Sequence, residues 1–195
     1  AVREARGEYL LFLNNDVEII TESWLEEMLQ LCQQKDVGMV GAKLYYPDDT
    51  IQHAGVVVGL GGVAAHVLCK LPRDAEGYMG RLRCVQEISA VTAACMMVKT
   101  SVFKAVGGFD EELKVAFNDI DLCMKVRKYG VKIVFTPYAE LYHYESKSRG
   151  MEDTPEKQLR FSREVNCFRR KWERELLKGD PYYNPNLTLN NTDCS

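Results

Sequence analysis

Asn14 and Asp16 stand two residues apart at the close of an apolar run, so in an extended chain their side chains fall on one side of the backbone. Two oxygen-bearing side chains at a strand end can hold a hard divalent cation that also takes phosphate oxygens and water. The competing reading is a polar turn in which Asn14, Asn15 and Asp16 only terminate the strand. Asp119 and Asp121 fall in the first turn of a helix, where the partial positive charge of the N-terminus favours each carboxylate by about 0.3–1 kcal/mol. At roughly 100° per residue the two point about 200° apart, so one cleft takes one of them directly while the other braces the loop or the cap. A single positioned carboxylate suits a general base, with helix-start stabilisation as the alternative. His143 closes another apolar segment and enters a polar stretch containing Lys147 and Arg149, whose cationic groups suit a phosphate or diphosphate. For His143 itself, metal ligation, phosphate contact and a structural role all stand open. His53 and His66 lack such company and read as structural or incidental.

The elements that must carry these groups are legible as periodicity. Tyr9–Leu13 is a continuous apolar run of the kind expected for a strand buried on both faces of a parallel sheet. After the Asn14–Asp16 turn, Ser23 and Glu26 form a capping box for a helix with Trp24, Leu25, Met28, Leu29 and Cys32 as its stripe. Val37–Tyr46 alternates as a strand, Gly55–Val63 reads as a glycine-punctuated extended segment, and Val85–Val98 is β-branched enough for one strand. A short helix from Thr100 is stopped by Gly107 and Gly108, and Asn118 caps the next one, which runs to Gly130. Val131–Phe135 is a strand halted by Pro137, and Thr154 with Pro155 at N1 opens a last helix whose stripe is Phe161, Val165, Phe168, Trp172 and Leu176. Strands alternating with helices predict an α/β fold, in which working groups gather beyond the carboxyl ends of the strands.

Composition narrows the classes further. With 195 residues and 46% hydrophobic content the chain has the balance of one globular domain with a real core. A net charge of -3 argues against a general nucleic-acid binder. The seven cysteines form no CxxC pair and read as reduced thiols packed as small hydrophobes. The longest apolar stretch, Ala54–Ala65, is glycine-broken and shorter than the roughly 20 residues of a membrane span, which leads to the expectation of a cytoplasmic protein. From Glu156 to Lys178 eight basic residues face four acidic ones. That excess fits either a solvated face opposite a docked stripe or peripheral attachment to anionic lipid at the inner face of a membrane.

Several segments, in order along nearly the whole chain, resemble glycosyltransferase family 2, especially its bacterial polysaccharide and rhamnosyltransferase-like members. They are residues 7–16 (GEYLLFLNND), 53–59 (HAGVVVG), 91–95 (VTAAC), 106–110 (VGGFD), 117–123 (FNDIDLC) and 136–146 (TPYAELYHYES). The resemblance implies a partial GT-A fold, a Rossmann-like mixed sheet flanked by helices, and an inverting sugar transfer from a nucleotide-sugar donor to a glycan or lipid-linked acceptor. It implies that Asn14, Asn15 and Asp16 match the DxD region, with Asp16 and Asn14 toward Mn²⁺ or Mg²⁺ and Asn15 toward the donor. Asp119 then matches the general base and His143 the histidine near the metal or diphosphate. Lys147 and Arg149 match the loop closing on the donor, and Thr92, Ala93, Asn118 and Asp121 the sugar pocket. Asn14 in place of a carboxylate lowers the expected affinity for a hard cation, and Ala93 stands where relatives often carry glycine. The resemblance also implies that the N-terminal strands for base and ribose are missing, so that 1–150 is the C-terminal portion of a catalytic domain and 151–195 a helix and tail packed on it. A fragment of this kind is expected to be inactive alone, with self-association through an exposed sheet edge as a further option. The rival from another class is a non-catalytic carbohydrate-binding or assembly module that keeps the fold.

Overall fold

The computed structural model describes residues 2–144 and 154–194. In chain order the elements are β1 (Tyr9–Leu13), β2 (Val17–Ile19), α1 (Trp24–Cys32), β3 (Val37–Tyr45), β4 (Ile51–His53), β5 (Val56–Val58), β6 (Ala64–His66) and β7 (Gln86–Glu87). They continue with β8 (Cys95–Lys99), α2 (Thr100–Ala105), α3 (Asn118–Tyr129), β9 (Lys132–His143), α4 (Pro155–Lys171) and α5 (Glu173–Lys178). The main sheet runs β1-β8-β3-β9-β2, with β4 added to β3 and β7 to β9, while β5 and β6 form a separate ribbon. Among the described residues only β3 and β9 pair in parallel, and the other pairs are antiparallel, so the sheet is mixed. The α/β expectation therefore holds.

Each face of the sheet is sealed by apolar side chains. Met28 and Cys32 of α1 pack on Val40, Leu44, Met97 and Leu141, and on the other face Met39, Tyr45, Met96, Phe135 and Phe168 join the helical layer. Full burial of a side chain the size of Met28 stabilises the fold by about 1.5–3 kcal/mol. Cys32, Cys95, Cys123 and Cys194 are free and buried, and desolvation pushes the Cys95 thiol up to about 12, which keeps it protonated and apolar in behaviour.

Several expectations give way to tertiary context. Strand β1 is not buried on both faces of a parallel sheet: it lies at the sheet margin, antiparallel to β8, with Leu11 and Leu13 36% and 41% exposed. A run of apolar residues signals a strand but does not distinguish a central from a marginal one. The segment 85–98 is two strands, because Val56 pairs with Ala90 outside the main sheet and Thr92 accepts a bond at Oγ1 from Ala94 N–H, turning the chain. Pro137 does not halt β9: the strand runs on to His143, and the register jumps from Gly41–Phe135 to Lys43–Glu140, a bulge that absorbs the missing N–H. Phe117, not Asn118, occupies the N-cap of α3, with φ of 63°. Ser23 is at the N-cap of α1 but its hydroxyl makes no capping bond. Thr154 does cap α4, accepting from Lys157 N–H, with Pro155 in the first turn. The last helix expected through Lys178 breaks at Trp172 into α4 and α5.

Candidate active site

The turn after β1 is tied to its neighbours through the backbone. Asn14 N–H donates to Ala94 C=O at 3.0 Å, and Tyr144 N–H donates to Asp16 C=O at 2.8 Å. Because Val17 pairs with His143, the end of β9 is delivered directly to the turn. His143 Nε2 then lies 3.0 Å from Asn14 Nδ2 and 3.3 Å from Asp16 Oδ1. Gln52 of β4 clamps the histidine from behind: its Oε1 is 2.7 Å from His143 Nδ1, and its Nε2 donates to His143 C=O at 3.2 Å. Since a side-chain carbonyl only accepts, Nδ1 carries a proton, and Nε2 is the ring nitrogen that faces the Asn14–Asp16 turn. A ring held at one nitrogen by a buried partner presents the other in a fixed direction, as metal-binding histidines do.

Asp119 is delivered by the first turn of α3 to the loop ahead of β8. Its Oδ2 accepts from Ala93 N–H at 3.2 Å and its Oδ1 from Ile120 N–H at 2.8 Å. Ala93 and Ala94 are adjacent, so one residue of the turn holds Asp119 while the next holds Asn14. The turn itself is seated by Thr92 N–H donating to His53 Nε2 at 3.4 Å and by Val91 packed on Gly41, where a Cβ would come within 2.3 Å of Val91. Burial, with His66 and His143 nearby, drives the His53 pKa well below 6.5, which keeps it neutral and able to accept. The adjoining cleft of about 300 Å³ is lined by Gln52, His66, Thr92 and His143 among others.

The structure thus brings Asn14, Asp16, Thr92, Ala93, Asp119 and His143 together, and leaves Asn15 exposed on the turn. Asn118 opens α3 beside Asp119. Asp121 is a correction: rather than facing a sugar pocket it is fully buried on the opposite side of α3, bonded to Trp172 Nε1 at 2.8 Å and ion-paired to Lys171 and Lys125 at 2.8 and 3.2 Å. Lys147 and Arg149 lie outside the described residues. Gln52 went unread in the sequence, and His66, read as incidental, lines the cleft.

Among the described residues no three His, Cys, Asp or Glu side chains cluster as a ready metal site. One atom nevertheless points to a cation. Among the described residues Asp16 Oδ1 is buried without a hydrogen-bond partner, its 3.3 Å approach to His143 being an ion-pair distance without hydrogen-bond geometry. A buried carboxylate oxygen left in that state is costly unless a ligand completes it. Asp16 and His143 are a sparse, oxygen-and-nitrogen donor pair that fits a divalent ion with further positions open to phosphate oxygens, and Asn14 stands beside them with its amide nitrogen toward His143.

Comparison with known proteins decides the family. A model described as "Glycosyltransferase like family" matches residues 1–164. The chain belongs to this family. Among its relatives, an uncharacterized protein y4gI of Sinorhizobium fredii is 57% identical over 99% of this chain and 21% of its own length. The O-antigen biosynthesis protein RfbC of Myxococcus xanthus is 42% identical over 100% of this chain and 15% of its own length. The chain therefore spans about a fifth or less of these curated relatives. Two solved structures share the architecture of this glycosyltransferase-like chain. A mannosyltransferase from Pyrobaculum calidifontis, in complex with GDP-Man and Mn²⁺, matches with a TM-score of 0.55 at 16% identity, over 89% of this chain and 41% of that one. GalNAc-T7 with UDP, GalNAc and Mn²⁺ matches with a TM-score of 0.61 at 13% identity, over 90% and 34%. At such identities the likeness concerns the fold, which is GT-A.

Proposed function

We propose that this chain forms the acceptor-side and metal-side part of an inverting glycosyltransferase that moves a sugar from a nucleoside-diphosphate donor to a glycan or lipid-linked hydroxyl. The observation that carries this reading is the shared turn at Ala93 and Ala94, which holds the Asp119 carboxylate through one residue and the Asn14–Asp16 turn, with His143 beside it, through the next. In the proposed reaction Asp119 accepts the acceptor hydroxyl proton as that oxygen bonds to the anomeric carbon, and the bond from carbon to the diphosphate oxygen breaks on the opposite face. Attack opposite the leaving group inverts the configuration. A divalent metal, when bound, neutralises charge gathering on the leaving diphosphate. Asp16, His143 and Asn14 would hold it. Gln52 keeps His143 oriented, and two N–H groups hold the Asp119 carboxylate in place. Asn15, Lys147 and Arg149 are proposed donor contacts, and Thr92, Ala93 and Asn118 proposed pocket residues.

The nature of the acceptor draws support from two relatives' names, O-antigen biosynthesis for one and N-acetylglucosaminyl-diphospho-decaprenol L-rhamnosyltransferase of Mycobacterium tuberculosis for another, 36% identical over 62 residues. Among the described residues no helix is long and apolar enough to cross a membrane. Work on a lipid-linked acceptor at the cytoplasmic membrane face is part of the same proposal. Calorimetry on the full-length protein tests it: nucleoside diphosphate binds in the presence of Mn²⁺, and Asp16→Ala abolishes the metal-dependent part. Binding that ignores both Mn²⁺ and Asp16 would overturn the metal assignment.

A further inference from the structure

Helix α4 carries one buried acid on an otherwise strongly basic surface. Glu164 is 3% exposed, and its carboxylate accepts from three consecutive backbone N–H groups: Lys114 and Val115 at 3.1 Å to Oε1, and Ala116 at 2.9 Å to Oε2. Three successive amides turned toward one point form a concave anion seat, and here the anion is a side chain of the same protein. The next residue is Phe117, a non-glycine residue at φ of 63°, a conformation that L side chains rarely adopt and that persists only where the surroundings impose it. Its ring lies on Phe168 and Phe161 of α4, with centroids 5.3 and 5.8 Å apart. Phe161, Glu164 and Phe168 follow one another at helical spacing, so a single face of α4 grips 114–117 by carboxylate and by rings at once. Two residues beyond Phe117 comes Asp119.

We infer that Glu164 is a positioning residue for the transfer reaction: it fixes the left-handed turn at Phe117 and thereby the direction in which Asp119 leaves the start of α3. The inference rests on the reading of Asp119 as general base and adds a remote residue on which that base depends. A purely structural role for Glu164 would affect the whole domain alike, whereas a positioning role acts on turnover through Asp119 alone.

The experiment is a cycle on the full-length protein with Glu164→Gln, Asp119→Asn and the double variant. Glu164→Gln is nearly isosteric but turns an NH₂ toward an N–H, so one of the three bonds is lost. Expected are a fall in kcat of at least tenfold, and binding of nucleoside diphosphate with Mn²⁺ unchanged within about twofold by calorimetry. The double variant is expected to be no slower than Asp119→Asn alone, because groups acting as a unit are not additive. Multiplying defects, or a Glu164→Gln enzyme with full kcat, would overturn the inference. If that variant does not fold, Phe117→Gly replaces it, since glycine keeps the left-handed φ without the ring grip; unchanged kcat there overturns the inference equally. Full turnover in Asp119→Asn alone would instead remove the general-base reading itself.

Discussion

Asp119 and Asp121 stand two residues apart on α3, and their surroundings differ in kind. Asp121 is sealed against the C-terminal helices, with the Trp172 indole N–H and the Lys171 and Lys125 ammonium groups on its two oxygens. Asp119 has two backbone N–H donors and keeps partial exposure. A related contrast separates Glu164, satisfied by three amides, from Asp16, whose Oδ1 makes no hydrogen bond among the described residues and has only His143 at 3.3 Å; Asp121 Oδ2 also makes no hydrogen bond there but has the Lys125 ammonium at 3.2 Å. Carboxylates matched by internal amides or ammonium groups hold the fold together, whereas one whose buried oxygen has only a histidine beside it is a candidate to meet a ligand. The helix repeat that points Asp119 and Asp121 apart is what lets one turn serve both purposes.

Replacing Asp121 should produce the largest effect, and it should fall on stability. Asp121→Ala leaves Lys171 and Lys125 without their buried partner and the indole N–H without an acceptor, for an expected loss of about 3–5 kcal/mol in denaturant unfolding of the chain. A loss below about 1 kcal/mol would erase the distinction between the two aspartates. Asp119→Asn should do the reverse in the full-length enzyme: turnover down by about 10² or more, equivalent to about 2.7 kcal/mol of barrier, with unfolding free energy and donor binding little changed. An Asp119→Asn variant that unfolds easily but turns over normally would assign it to the structural class.

How much of this arrangement is readable from the sequence follows from the range of each interaction. Asp16 and His143 are visible because each ends an apolar run, and a strand end is a local property that periodicity reports. The angular separation of Asp119 and Asp121 is equally local, so their opposite orientations follow from the helix repeat alone. Which of them faces the cleft does not, because Trp172 is 51 residues from Asp121 and nothing in the spacing announces the bond. Gln52 is hidden for the same reason: its partner, His143, is 91 residues away. Pro137 misleads because a proline stops a regular strand but is accommodated in a bulge, and the bulge depends on the partner strand β3. Glu164 looks like one acid in a basic helix until the loop it receives is placed against it.

The contrast extends to a group whose role depends on being uncharged. His53 is fully buried behind the Thr92–Ala94 turn, accepting at Nε2 from Thr92 N–H, with Nδ1 3.2 Å from His66 Nδ1. Burial, with the two neighbouring histidines, holds its pKa well below 6.5 in the folded chain, while in the unfolded chain it titrates near the ordinary value. Below about pH 6.5 the unfolded state therefore binds the extra proton, and unfolding free energy must fall as pH falls. The slope approaches about 1.4 kcal/mol per pH unit until the folded pKa is reached. Denaturant unfolding of the chain between pH 7.5 and 5 measures it, and His53→Gln removes this contribution because glutamine does not titrate. The difference between native and variant curves should open only below about pH 6.5 and widen toward pH 5. Parallel curves would mean that His53 is charged in the folded protein, which Nε2 as acceptor for the Thr92 amide does not allow.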